Sequence, residues 1–149
     1  GRGEDRVVFH LDLTDPSRQA RMARRVLYVE DNPANVKLVR SMLRLLPDVQ
    51  VLTAATGPEG LEVARRERPD LILLDIGLPG MSGVDLLDLV RREPALADKP
   101  IYAISANAMP ADVERGLGVG FDDYLTKPID VHQLLGRVQV GLALEGGIR

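Results

Sequence analysis

From Arg25 onward the chain alternates short apolar runs with longer amphipathic stretches. The runs are Val26–Val29, Val49–Thr53, Leu71–Leu74, Ile101–Ile104 and a weaker one at Tyr124–Leu125. Each is too short for a helix, and most are apolar at successive positions, the pattern of strands buried on both faces. The stretches between them repeat at helical spacing: Val36, Val39, Leu43 and Leu46, then Leu61 with Ala64, then Leu86 with Leu89 and Val90. Start signals agree. Asn32 followed by Pro33 predicts an N-cap with proline in the first turn, and Thr56-Gly-Pro and Ser82-Gly stand just ahead of two further helical patterns. A last helix is predicted from about Asp130 through Leu144, with Val131, Leu134, Leu135 and Val138 inward. Strand–helix alternation repeated five times predicts an α/β fold, a doubly wound parallel sheet with helices on both faces. Ahead of it, Val7, Phe9, Leu11 and Leu13 alternate with Arg6, Val8, His10 and Asp12, a strand pattern of period two.

Composition narrows the chemistry. Among 149 residues, 45% are hydrophobic, enough for a buried core, and there is no cysteine, which excludes disulfide scaffolds, zinc ribbons and thiol catalysis. His10 and His132 are the only histidines, so a multi-histidine metal site is not expected. The net charge of −3 gives no excess of positive charge to attract nucleic acid. The longest apolar run falls far short of the ~20 residues that span a bilayer, and no signal-peptide pattern opens the chain. A cytoplasmic setting without membrane contact is the expectation.

In a doubly wound sheet, ligands bind outside the carboxyl ends of the strands. Here the first run ends Val29-Glu30-Asp31, the third Leu74-Asp75 and the fourth Ile104-Ser105, while the fifth leads through Thr126 into Lys127-Pro128. Three carboxylates, a hydroxyl and an ammonium are thus expected on one rim. Three carboxylates alone would repel one another and raise their own pKa values. They make sense around a hard divalent cation, and a set of oxygen ligands with few fixed positions suits Mg²⁺. Three carboxylates, Mg²⁺ and Lys127 are together formally neutral, a site able to take a phosphoryl group.

These residues carry a family resemblance. Val26-Leu-Tyr-Val-Glu-Asp-Asn, Asp70-Leu-Ile-Leu-Leu-Asp-Ile-Gly-Leu-Pro-Gly-Met-Ser-Gly, Ile104-Ser-Ala-Asn-Ala and Asp122-Asp-Tyr-Leu-Thr-Lys-Pro resemble the receiver domains of two-component response regulators. The resemblance implies a flavodoxin-like sheet of strand order 2-1-3-4-5. It also implies that Asp75 is the phosphoacceptor, taking a phosphoryl group from a phosphohistidine on a histidine kinase domain or a histidine phosphotransfer protein. Mg²⁺ would be held by Asp31, Asp75 and the backbone carbonyl of Gly77, with Glu30 acting through water. Lys127 (before a cis proline), Ser105 and the Ala106 backbone would bind the phosphoryl group. Ser105 and Tyr124 would form the conformational switch, and Gly77 and Asn107 would tune the phosphoryl lifetime. A receiver of this kind catalyses its own phosphorylation and dephosphorylation.

Departures from the family pattern are small. Leu78-Pro79 stands where Met-Pro is usual, and Ser105 replaces the more frequent threonine. An aspartyl-phosphate phosphohydrolase would also use a strand-end Asp with Mg²⁺, but expects a second Asp two residues on, where this chain has Gly77. A nucleotide-binding module needs a glycine loop after the first strand; the cluster Gly116-Leu-Gly-Val-Gly120 comes late and reads as a helix C-cap and turn into Phe121. Arg65-Arg66 and Arg91-Arg92 fall late in helices, where cations suit the macrodipole, and read as solvated faces. The receiver is expected over 25–144, followed by a tail at 145–149. Residues 1–24 read as an N-terminal strand and linker, because Gly1-Arg-Gly and Val7-Val-Phe-His-Leu-Asp-Leu resemble the glycine box and final strand of a histidine-kinase ATP-binding domain. That implies the C-terminal receiver of a hybrid histidine kinase; the alternative is a stand-alone response regulator.

Overall fold

The computed structural model describes residues 23–143. Five strands alternate with five helices: β1 (Arg24–Val29), α1 (Pro33–Leu43), β2 (Val49–Ala54), α2 (Gly57–Glu67), β3 (Leu71–Asp75), α3 (Gly83–Arg91), β4 (Ile101–Ser105), α4 (Pro110–Gly118), β5 (Asp123–Thr126) and α5 (Val131–Gly141). All neighbouring strands run parallel, in the order β2-β1-β3-β4-β5. The expected N-terminal strand at Val7–Leu13, the tail at 145–149 and Leu144 lie outside the described residues.

Successive strand residues face opposite layers. Leu27, Val29, Ile72, Leu74, Ile101 and Ala103 pack with Leu61, Leu86 and Val90 of α2 and α3. Val26, Tyr28, Leu71, Leu73, Tyr102 and Ile104 pack with Val39 and Leu43 of α1 and Leu134 and Val138 of α5. Burial of one such leucine stabilises by roughly 1.5–3 kcal/mol, so the sheet is held from both faces. The helix starts follow the sequence. Asn32 Oδ1 accepts the Ala34 N–H at 2.9 Å, and the Thr56, Ser82 and Asp130 side chains each accept an N–H of the first turn.

Four expectations need correction. The Val49–Thr53 run is not buried on both faces: β2 is an edge strand, and most of its residues stay partly exposed. The last helix stops at Gly141, with Leu142 as its C-cap. Gly120, at φ 120°, does make the turn into buried Phe121, but Gly116 lies inside α4 and is that helix's buried residue. Arg91 is no solvated cation. Its guanidinium donates to the Ala97, Lys99 and Gly120 carbonyls and pairs with Asp122 at 2.7 Å, while Asp122 also accepts the Ile101 N–H. The clasp ties the end of α3 to the start of β4 and the approach to β5.

Candidate functional site

Register alone brings the strand ends together. Val29 lies opposite both Ala54 and Leu74, so Glu30 and Asp75 each stand one position beyond the same rung. Asp75 pairs with Ile104, which puts Ser105 one step further out, and Ser105 pairs with Thr126, the residue before Lys127. The rim therefore climbs from Glu30 through Asp75 and Ser105 to Lys127.

One carboxylate oxygen from each of Glu30, Asp31 and Asp75 lies within 4.8 Å of the others. Glu30 and Asp75 are buried and Asp31 is exposed. Lys127 Nζ bridges the buried pair, 3.0 Å from Asp75 Oδ2 and 3.1 Å from Glu30 Oε1. The Lys127–Pro128 peptide is cis. The second Asp75 oxygen accepts the Gly77 N–H at 2.9 Å. Glu30 Oε1 also accepts from the Tyr28 hydroxyl at 3.0 Å and the Asn35 amide at 3.1 Å, which leaves Oε2 with the longer Asn32 N–H bond at 3.2 Å.

The electrostatics separate the two buried acids. Burial pushes the Asp75 carboxyl up, the Glu30 charge beside it adds to that, and the Gly77 N–H and Lys127 only partly offset it. Burial also works against the Glu30 charge. Its hydrogen bonds with Asp75, Lys127, the Asn32 N–H and Tyr28 outweigh that and bring it down to about 2. Lys127 is raised, because its bonds to the two carboxylates outweigh its own burial. Burial and the Glu30 charge both push the Tyr28 phenol far up, so it stays a donor. A pocket whose buried acids share one ammonium and sit beside a third, exposed acid holds more negative charge than its protein partners neutralise. Oxygen donors at this spacing fit a small hard cation.

The remaining sequence-predicted residues are close by. Ser105 is buried and its hydroxyl accepts the Asn107 N–H at 3.0 Å. Ala106 follows it on the exposed side of the rim. Tyr124 is buried in β5 and its hydroxyl donates to the Asn107 carbonyl at 2.9 Å. Sequence reading missed Tyr28 and Asn35. Tyr28 was hidden in an apolar run, and Asn35 reaches Glu30 only because the first turn of α1 folds back over the rim.

A doubly wound sheet with an acidic, lysine-bridged rim defines a class of proteins that handle phosphoryl groups at strand ends. The family model for the response regulator receiver domain matches residues 26–139, and the chain belongs to that family, the phosphoryl-accepting receivers of two-component systems. Among its relatives is the signal transduction histidine-protein kinase BarA of Escherichia coli K12, 36% identical over 141 residues. The match covers 93% of this chain and 15% of BarA, so the chain spans a small part of that kinase's length. The polar-differentiation response regulator DivK of Brucella anthropi is 36% identical over 118 residues, covering 79% of this chain and 95% of DivK. A solved neighbour is the receiver domain of the sensor histidine kinase PA1611 of Pseudomonas aeruginosa, with a magnesium ion coordinated in its active site cleft. It has a TM-score of 0.74 and 35% identity, over 81% of this chain and 98% of that one. Among the described residues no helix is long and apolar enough to cross a membrane.

Proposed function

We propose that Asp75 is the residue that accepts the phosphoryl group, from a phosphohistidine on a histidine kinase domain or a histidine phosphotransfer protein. The observation that carries the reading is the Lys127 ammonium shared between Asp75 and Glu30 beside the exposed Asp31. An Asp75 oxygen attacks phosphorus, the P–N bond breaks, and the imidazole leaves with its electron pair and takes up a proton. Lys127 meets the incoming charge, and Glu30, held ionised and low, keeps Lys127 in place. Asp31, Asp75 and the Gly77 carbonyl would hold Mg²⁺ directly and Glu30 through water. When bound, Mg²⁺ neutralises charge on the carboxylate and on the phosphoryl oxygens. Phosphoryl transfer asks for positioning and charge balance more than for proton transfer, and among the described residues no histidine stands on this rim.

Phosphorylation turns one negative charge into about two, and the new oxygens need donors. The Ser105 hydroxyl, the Ala106 N–H and Lys127 are the groups nearest in the register. Ser105 drawn towards the phosphoryl group gives up its bond to the Asn107 N–H, and the Tyr124 hydroxyl on the Asn107 carbonyl carries the change to α4. Gly77 and Asn107 flank the acceptor and set how readily water reaches it.

The donor approaches beside α1. A groove of about 350 Å³ runs from Glu30 and Asp31 along Val36, Lys37 and Arg40 to Thr53. Helix α1 carries Lys37 and Arg40 and no acid, and Arg44 follows as its C-cap, a charge that suits a donor already bearing a phosphoryl group. The larger protein is read as a hybrid histidine kinase. The BarA match, at 93% coverage, extends beyond the 26–139 receiver into the segment before β1, whereas the DivK match does not need it. The whole protein is expected to label itself from ATP on a histidine; a parent chain that lacks such a histidine favours the stand-alone regulator.

Incubation with a small acyl phosphate tests the acceptor. Wild type is expected to gain a hydroxylamine-sensitive phosphate that EDTA prevents, and Asp75→Asn to gain none. Equal incorporation into Asp75→Asn would remove Asp75 from this role.

A further inference from the structure

Helix α4 spends a glycine where a side chain would serve it better. Glycine is among the poorest helix formers, yet Gly116 sits inside α4 and is its buried residue. A Cβ built there would lie 2.6 Å from Cδ2 and 2.7 Å from Cε2 of Tyr124, well inside the ~3.5–4.0 Å of a carbon contact. The same addition at Gly118, two residues on, meets nothing within 4 Å. The bare backbone of Gly116 is thus the seat of the Tyr124 ring. Seated, the ring puts its hydroxyl 2.9 Å from the Asn107 carbonyl, and Asn107 is bonded to Ser105 through its N–H.

The ring has somewhere else to go. A cavity of about 230 Å³, lined by Ile76, Val84, Asp112 and Val119 among others, borders Tyr124 and Gly116. Helix α4 is less free to yield, because buried Phe121 and the Arg91–Asp122 clasp fix the chain just beyond its end.

We propose that Gly116 is a positioning residue for the switch, its missing side chain being what admits Tyr124 to the inward seat. An alanine at 116 gives a receiver that still takes phosphate on Asp75 but holds Tyr124 outward, so that the Ser105–Asn107 loop loses its anchor. The inference rests on the reading of Asp75 as acceptor and of Ser105 and Tyr124 as the switch.

The chain has three tyrosines and no tryptophan, so 3-fluorotyrosine labelling gives three fluorine signals, and Tyr124→Phe identifies that of Tyr124. In Gly116→Ala this signal is expected to move towards free fluorotyrosine and to gain a larger shift between H₂O and D₂O. Tyr28 and Tyr102 should stay in place, and Gly118→Ala should change none of the three. A Tyr124 signal still buried in Gly116→Ala overturns the proposal. If that variant does not fold, Gly116→Ala is placed on Tyr124→Ala. With the ring gone, only the helix preference remains and the pair should melt above Tyr124→Ala alone; a pair melting lower overturns the proposal. Acyl phosphate labelling separates the two readings. Absent label on wild type defeats the acceptor reading, while the fluorine signal still decides the seat.

Discussion

Lys127 carries the balance at the rim, and its two carboxylate partners respond to pH in opposite senses. Asp75 is raised by burial, so the metal-free native state holds a proton there at pH values where the unfolded chain has released it. That contribution is present at low pH and is lost as pH rises through the raised pKa. Glu30, held at about 2, contributes stability above its ordinary pKa that is lost only on acidification towards that value. Asp75→Asn removes the first cost and leaves the second gain. In EDTA at neutral pH it is expected to melt above wild type, by about 2–4 °C for each kcal/mol relieved. The gap should close as the pH falls into the ordinary carboxylate range, and melts across a pH series check this; a gap that widens on acidification contradicts it. Lys127→Ala strands two buried acids and is expected to cost about 1–3 kcal/mol, more at pH 7 than where Asp75 is protonated, as denaturant titrations at the two pH values would show. The acids and the lysine were legible because each ends an apolar run. The partners that hold Glu30 were not, since a tyrosine inside a buried strand reads as core until its hydroxyl is seen at 3.0 Å from a carboxylate.

Among the elements, α4 stands apart. Its N-cap Met109 makes no side-chain hydrogen bond and is exposed, whereas α2 opens with Thr56 accepting the Glu59 N–H and Glu59 reaching back to the Ala55 N–H. A helix with little buried surface and no side-chain cap belongs to the low-stability end of a fold; the loose end of α4 is its first turn at Met109, while the end that carries Gly116 is the one held by Phe121 and the Arg91–Asp122 clasp. Backbone amides of α4 are expected to exchange faster than those of α2, and hydrogen exchange read by mass spectrometry checks the order. The Arg91 clasp works in the opposite direction. Arg91→Ala removes four acceptor contacts and is expected to cost about 1–2 kcal/mol, a fall in Tm of roughly 2–8 °C, seen in thermal melts. Helix starts were readable because caps are local chemistry at Asn32, Thr56 and Ser82. The clasp was not readable, since Arg91 meets Asp122 across 31 residues of sequence. Gly116 escaped for the same reason: its role depends on Tyr124 in another element. The edge position of β2 likewise follows from strand order, which alternation alone does not set.

At the scale of the whole molecule, all strands being parallel sends their carboxyl ends to one rim and their amino ends to the other. The chain enters β1 at the amino end, where Arg24 donates to the Leu142 carbonyl and Arg25 pairs with Glu67 at 2.9 Å. The acidic rim lies at the far end of the same strand. Removal of residues 1–21 is therefore expected to leave Asp75 labelling at the wild-type level, and acyl phosphate incorporation into the shortened chain measures it; loss of labelling would make that segment part of the receiver. The central claim is that one carboxylate, Asp75, receives the phosphoryl group. The most direct test mixes the protein with a phosphohistidine-bearing donor domain in Mg²⁺ and locates the modified residue by borohydride reduction and peptide mass spectrometry. The account predicts modification at Asp75 alone, abolished in Asp75→Asn with the fold retained. Modification at Glu30 or Asp31, or undiminished transfer to Asp75→Asn, would contradict it.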